Sequence, residues 1–246
     1  MKRGKKAQIT IFIILGVMLF AGGLTYYVSR SSSNDFSKED INPQLVPVYS
    51  FVEDCIKQTG ENAVYELSKK GGYYSLPKLN TNNIPYYFYE DKSYTPSKKD
   101  IETQLSLYID ENLKKCINDF KNLESFNITG KKIKTISKIQ EDSILFSVKY
   151  PLSIIKESKT YYVENFQTEI TSRFPVIYAS ILELMTQQLN HTKSVCLTCI
   201  NNIAEKNDFY FEINYLDKQT IIFIILDNRT KINNNTLVYQ FAYDLK

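Results

Sequence analysis

A chain of 246 residues with 30 Lys and Arg against 27 Asp and Glu, one His and no Trp carries a formal charge of +3. Five of the basic residues and none of the acids lie in the first thirty positions, so the remainder holds 25 basic against 27 acidic residues. Nucleic-acid binding draws mainly on phosphate neutralisation by clustered Lys and Arg; the sequence offers no such cluster, which sets that class of partner aside.

The chain opens on a basic leader, residues 1–6 (MKRGKK), followed by an unbroken uncharged run, residues 7–29 (AQITIFIILGVMLFAGGLTYYVS). As a helix that run spans about 35 Å, enough to cross a bilayer core. Lys2, Arg3, Lys5 and Lys6 on one side outnumber Arg30 on the other, so the N-terminus is expected in the cytoplasm and residues 30–246 outside it. Tyr26 and Tyr27 fall where an interfacial aromatic belt belongs. A cleaved signal would need a shorter apolar core; Ala21-Gly22-Gly23 is a weak cleavage site, and the run continues past it, which favours a retained anchor in membrane lipid.

The junction Lys5-Lys6-Ala7-Gln8-Ile9 resembles that of archaeal type IV prepilin (class III) signal peptides, and KKAQITIFIILG is similar to the opening of membrane-anchored proteins of DPANN archaea. The resemblance covers about thirty residues and implies processing between Ala7 and Gln8. It departs from the pilin pattern at Phe12, where an acid is usual, and no acid occurs in residues 1–34.

Residues 30–42 are polar and read as a linker. Pro43 and Pro47 bracket the start of a helix in which Leu45, Val48, Val52 and Cys55 share a face, and a second helical piece, Glu61 to Lys70, closes at Gly71-Gly72. Tyr73–Leu76 and Tyr86–Tyr89 read as short strands or extended loops. Ser97-Lys98-Lys99-Asp100 resembles a capping box ahead of the stripe Ile101, Leu105, Tyr108, Ile109, Leu113 and Cys116. Ile128–Ile139 and Ser143–Leu152 alternate as strands, with a further short strand at Thr160–Val163. The spacing of Phe166, Ile170, Phe174, Ile177, Ile181 and Leu184 predicts a long amphipathic helix, with Pro175 implying a kink or a later start. Three strands close the chain: Phe209–Tyr215, the continuously apolar Ile221–Leu226, and Leu237–Leu245. The expected architecture is an α+β exported domain with a largely antiparallel sheet: a helical, tyrosine-rich subdomain at 43–125 and a sheet subdomain at 126–246.

Four cysteines outside the cytoplasm suggest disulfides. Cys55 and Cys116 each lie on the apolar face of a predicted helix, so Cys55–Cys116 is the favoured pair, with two buried thiols as the other reading. Cys196-Leu197-Thr198-Cys199 reads as a short disulfide, a redox centre or half a metal site; for metal only His191 lies near, and a fourth ligand is missing. His191 sits in one of four glycosylation sequons, at Asn127, Asn190, Asn228 and Asn234. Tyr86, Tyr87, Tyr89 and Tyr94 are the candidate binding residues, for a protein or glycan partner, against the reading that alternate ones face a core. Glu90-Asp91 is the carboxylate pair to test for hydrolase chemistry, and no complete catalytic constellation, cofactor motif or metal set stands out. The preferred reading is a structural or interaction role at the cell envelope. Its alternatives are a pilin-like surface subunit and an envelope enzyme, either a carboxylate hydrolase or a thiol oxidoreductase.

Overall fold

The computed structural model describes Met18, residues 42–191 and residues 193–245. Apart from Met18 and Asn42, the leader, the apolar run and the linker, with Ala7 and Gln8, lie outside the described residues. No described helix is long and apolar enough to cross a membrane. The chain divides into two units, 1–45 and 46–246. Of the first, Pro43–Leu45 form one 3-10 turn. The second is α+β, with four α-helices and ten strands among the described residues.

Helix α1 (Val46–Ser68) is continuous where two pieces were expected. Gly60, at the expected break, lies in its buried stripe because the helix must approach the sheet closely there. A Cβ at Gly60 would stand 2.6 Å from Ile170 Cδ1 and 3.0 Å from the Phe146 ring. The helix then closes as its sequence predicts: Gly72 N–H donates to the Leu67 carbonyl at 2.7 Å, and Gly71 and Gly72 take φ of +54° and +80°. Of the two readings given for them, Tyr73–Leu76 is loop and Tyr86–Tyr89 is strand, within β2 (Ile84–Tyr89), which lies between the two-residue strands β1 (Asn80–Thr81) and β3 (Lys92–Ser93). Helix α2 (Lys98–Ile117) starts on the expected box, the Ser97 hydroxyl accepting the Asp100 N–H at 3.2 Å and Asp100 Oδ2 accepting the Ser97 N–H at 2.9 Å. Its buried stripe is Ile101, Leu105, Ile109, Leu113 and Ile117.

The expected strand 128–139 is two, β4 (Asn127–Gly130) and β5 (Lys134–Ile139), both paired antiparallel with the long β6 (Ser143–Lys156). β7 (Lys159–Thr171) pairs along the whole of β6. A strand has two edges, so β4 and β5 share the one that β7 leaves. The ladder shifts register between Lys149 and Leu152, where Pro151 can donate no hydrogen bond. β7 departs furthest from the sequence expectation: residues 159–171 are strand, and the helix, α3 (Phe174–Gln188), begins only at Phe174, with Pro175 in its first turn. Phe166 and Ile170 are four residues apart, a spacing that fits period 2 as well as a helical face; burial of both on β7 fits the former.

Helix α4 (Leu197–Asn207) leads into β8 (Tyr210–Tyr215), β9 (Thr220–Ile232) and β10 (Asn235–Asp244). The resulting sheet runs β1-β2-β10-β9-β8, with β3 on β2; every pairing is antiparallel except β2 with β10. That parallel pairing joins residues from both sides of position 125 in one sheet. Ile221, Phe223, Ile225, Leu237, Tyr239, Phe241 and Tyr243 are fully buried, and α1 packs against β7, β9, β10 and α2, linking the two sheets. Arg173 caps this arrangement from the start of α3. Its Nη1 donates to fully buried Asp227 on β9 at 2.6 Å, its Nη2 to the Asn207 carbonyl at the end of α4, and its guanidinium lies 4.7 Å from the Phe209 ring centroid.

Candidate functional site

The chemistry-bearing residues converge where α3 hands over to α4. The last residue of α3, Gln188, is fully buried. Its Nε2 donates to the carbonyls of His191 at 2.8 Å and Ser194 at 2.7 Å, and its Oε1 accepts the Cys196 N–H at 2.9 Å. One side-chain amide therefore holds the loop at both its middle and its end. The loop adds its own backbone bonds, His191 N–H to the Gln188 carbonyl at 2.8 Å and Ser194 N–H to the His191 carbonyl at 3.2 Å.

Cys196 is the N-cap of α4, its sulfur accepting the Cys199 N–H at 3.3 Å. A sulfur in that role satisfies one of the backbone donors that every helix start leaves free. Ile200 and Ile203 anchor the helix in the core, and Lys206 pairs with Glu183 of α3 at 3.1 Å. Cys196 and Cys199 form a disulfide, each cysteine 8% exposed, while His191 is exposed. The imidazole nitrogen and both sulfurs lie within 4.8 Å of one another. Leu189, at the end of α3, and Leu197, between the two cysteines, stay in solvent, 41% and 60% exposed. A dithiol in this place has two kinds of chemistry open to it, exchange with another disulfide and coordination of a thiophilic cation.

The favoured second pair is present: Cys55–Cys116 joins α1 to α2, with Cys55 buried in the core. It closes 61 positions of chain.

The tyrosine-rich segment spreads from core to surface. Tyr87 is fully buried, stacked on Phe241 at 4.6 Å between centroids, its hydroxyl 2.8 Å from that of Tyr239 and donating to the Gly71 carbonyl at 2.9 Å. Burial, with Tyr239 beside it, pushes the Tyr87 phenol well above its ordinary value. Tyr86 is buried with its hydroxyl 3.3 Å from that of Thr220, Tyr89 is half-buried against the Tyr86 ring, and Tyr94 is 42% exposed. Glu90 and Asp91 form the left-handed turn between β2 and β3, with φ of +46° and +65°, and both are exposed. All four sequon asparagines are exposed. A cleft of about 520 Å³ lies elsewhere, over β4, β6 and β7, with Tyr162, 79% exposed, beside Thr129, Lys131, Ser153 and Glu164.

Sequence reasoning missed Gln188 and the Arg173–Asp227 pair. A Gln in the last turn of a helix carries no local signal; its value comes from a loop that folds back over it. No protein-family model, no curated protein and no solved structure matches this chain.

Proposed function

We propose that this protein is a single-pass, membrane-anchored protein whose folded unit lies outside the cytoplasm, with a structural or interaction role at the cell envelope. The observation that carries the reading is a pair of disulfides, Cys55–Cys116 and Cys196–Cys199, in a chain whose uncharged run 7–29 stands directly after a basic leader. Disulfides persist in oxidising compartments, and the charge asymmetry about the run directs the C-terminal remainder of the chain there. Exposure of Asn127, Asn190, Asn228 and Asn234 agrees with that address.

Support for the interaction role comes from a sheet edge. Among the described strands β8 pairs with β9 alone. Tyr210 and Tyr215 on it are each 63% exposed, and Leu216 beyond it is 42% exposed. An edge strand offers a row of backbone donors and acceptors, and tyrosines beside it add apolar area with a polar tip, the chemistry that receives an extended segment of a protein partner.

The test is protease added to intact cells, then thiol-specific labelling of the membrane fraction without reductant. Digestion of the folded unit from outside, with all four cysteines resistant to labelling, is the expected result. A unit protected in intact cells yet degraded after lysis, with its thiols free, overturns the reading.

A further inference from the structure

We propose that the corner formed by His191, Cys196 and Cys199 is a redox-gated site for a thiophilic divalent cation of the Zn²⁺ type. This goes beyond the envelope role and does not rest on it.

The donor set is the first ground. One imidazole nitrogen and two sulfurs, from three residues within nine positions, lie within 4.8 Å of one another. Around a tetrahedral Zn²⁺, with bonds of about 2.3 Å to sulfur and 2.0–2.1 Å to nitrogen, such atoms stand about 3.5–3.8 Å apart. The set therefore needs only the sulfurs to part and the imidazole to close in. Three protein ligands leave the fourth position to water, and His191 is exposed, which supplies the path by which a cation enters.

The second ground is that the frame does not depend on the sulfur–sulfur bond. Gln188, fully buried, ties the backbone at His191, at Ser194 and at Cys196 through three hydrogen bonds. The Cys199 N–H already donates to the Cys196 sulfur, and it remains a donor to that sulfur as a thiolate ligand. Opening the disulfide leaves the loop and the first turn of α4 held from within. The ligands are thus brought together by the fold rather than by the cation.

The gating comes from electron counting. While the disulfide is closed, neither sulfur carries the charge that a strong bond to Zn²⁺ requires. A dithiol reductant opens it: two electrons and two protons pass to Cys196 and Cys199, and the reductant leaves as its own disulfide. A divalent cation then displaces both thiol protons and is held by two thiolates, neutral His191 and water, a site of no net charge. A disulfide-bonded oxidant closes it again by exchange: it takes the two electrons from the sulfurs and two protons from water, leaves as its own dithiol, and the cation is expelled as the bond between Cys196 and Cys199 re-forms.

Titration of the full-length protein with Co²⁺ tests this, since thiolate ligation gives sulfur-to-cobalt charge-transfer absorption. Reduced protein is expected to take up one Co²⁺ per chain with that absorption, to lose it to an equivalent of Zn²⁺, and to show none when oxidised. His191→Ala, at an exposed position that threatens no packing, is expected to weaken Co²⁺ binding by more than the roughly 10–100-fold typical of losing an outer-shell partner. The Cys196→Ser/Cys199→Ser variant, which keeps Cys55 and Cys116, is expected to show no thiolate absorption. The proposal is overturned by a reduced protein that binds no Co²⁺, by binding that survives in the double serine variant, or by affinity indifferent to His191. Reduced protein that binds no Co²⁺ yet passes its electrons to a disulfide-bonded polypeptide overturns it in favour of thiol exchange.

Discussion

Replacing Gln188 with Leu isolates the bonds that hold the candidate site. Leu nearly fills the same volume, so the cavity contribution is small and the loss is that of three hydrogen bonds. The three do not weigh equally. His191 and Ser194 are exposed, so their carbonyls can turn to water, and each bond costs about 0.5–1 kcal/mol. Cys196 is buried, so its N–H stays dry and unpaired, at about 1–3 kcal/mol. The expected total is about 3 kcal/mol. With a urea slope of about 2 kcal/mol/M, the unfolding midpoint of the oxidised protein falls by about 1.5 M. Gln188→Glu keeps the shape and separates the effects further. One carboxylate oxygen still accepts the Cys196 N–H, but the other faces two carbonyl oxygens, so the ionised form is disfavoured and the carboxyl is raised above its ordinary value. Stability of that variant is therefore fullest below the ordinary Glu value and is lost as pH rises through the raised one. Urea denaturation across the pH range, with amide exchange at Cys196, reads both effects. A Leu variant within about 0.5 kcal/mol of the parent, or a Glu variant indifferent to pH, refutes the assignment of Gln188 as the clasp of this loop.

The Cys55→Ala/Cys116→Ala pair releases a closed loop of about 60 residues, and in the chain-entropy model is expected to cost about 4 kcal/mol, read by thermal or urea unfolding; a loss under about 1 kcal/mol contradicts it. Arg173→Met removes the cation facing fully buried Asp227 and is expected to cost about 3–5 kcal/mol, with the Arg173→Met/Asp227→Leu double variant recovering much of it; a double variant less stable than the single contradicts a charge-based account. At alkaline pH the tyrosines set the limit. Burial first, then the nearby Glu53 carboxylate, pushes the Tyr49 phenol up to about 12, and burial pushes Tyr87 and Tyr239 up as well. All three favour the neutral phenol in the folded state, so their contribution is whole below pH 10 and falls as pH climbs from there, for Tyr49 through about 12. Phenolate absorbance is expected to rise cooperatively with loss of circular dichroism, and smooth titration near pH 10 with the fold retained contradicts this.

How much of the fold is legible in the sequence depends on how local each cause is. The closing strands are legible because burial is printed along them: Leu237, Tyr239 and Phe241 alternate with less buried residues and face the core, while the continuously apolar Ile221–Leu226 belongs to a strand buried or half-buried on both faces. The start of α2 is legible because Ser97 and Asp100 satisfy each other within four residues. Cys55–Cys116 is legible because both cysteines lie on faces that periodicity marks as inward. The failures share a different cause. The first part of β7, Thr160–Val163, reads as strand, but its second half reads as helix because Phe166 and Ile170 satisfy both periods, and only pairing with β6 decides between them. Gly60 reads as a break because propensity knows nothing of Ile170 and Phe146 waiting beside the helix.

The candidate site lies at the far end of that scale. CxxC is visible, and so is a His five residues before it, but spacing alone says nothing about whether the three side chains meet. They meet because Gln188, one turn after the core residues Leu184 and Met185, is carried into the interior by the apolar face of α3 and must find partners there. The loop supplies them with the His191 and Ser194 carbonyls and the Cys196 N–H, and in doing so is bent until His191 stands over the sulfurs. The arrangement is thus a consequence of burying one amide. A change at Gln188 should therefore disturb the cysteines' surroundings more than a change at any exposed residue between them.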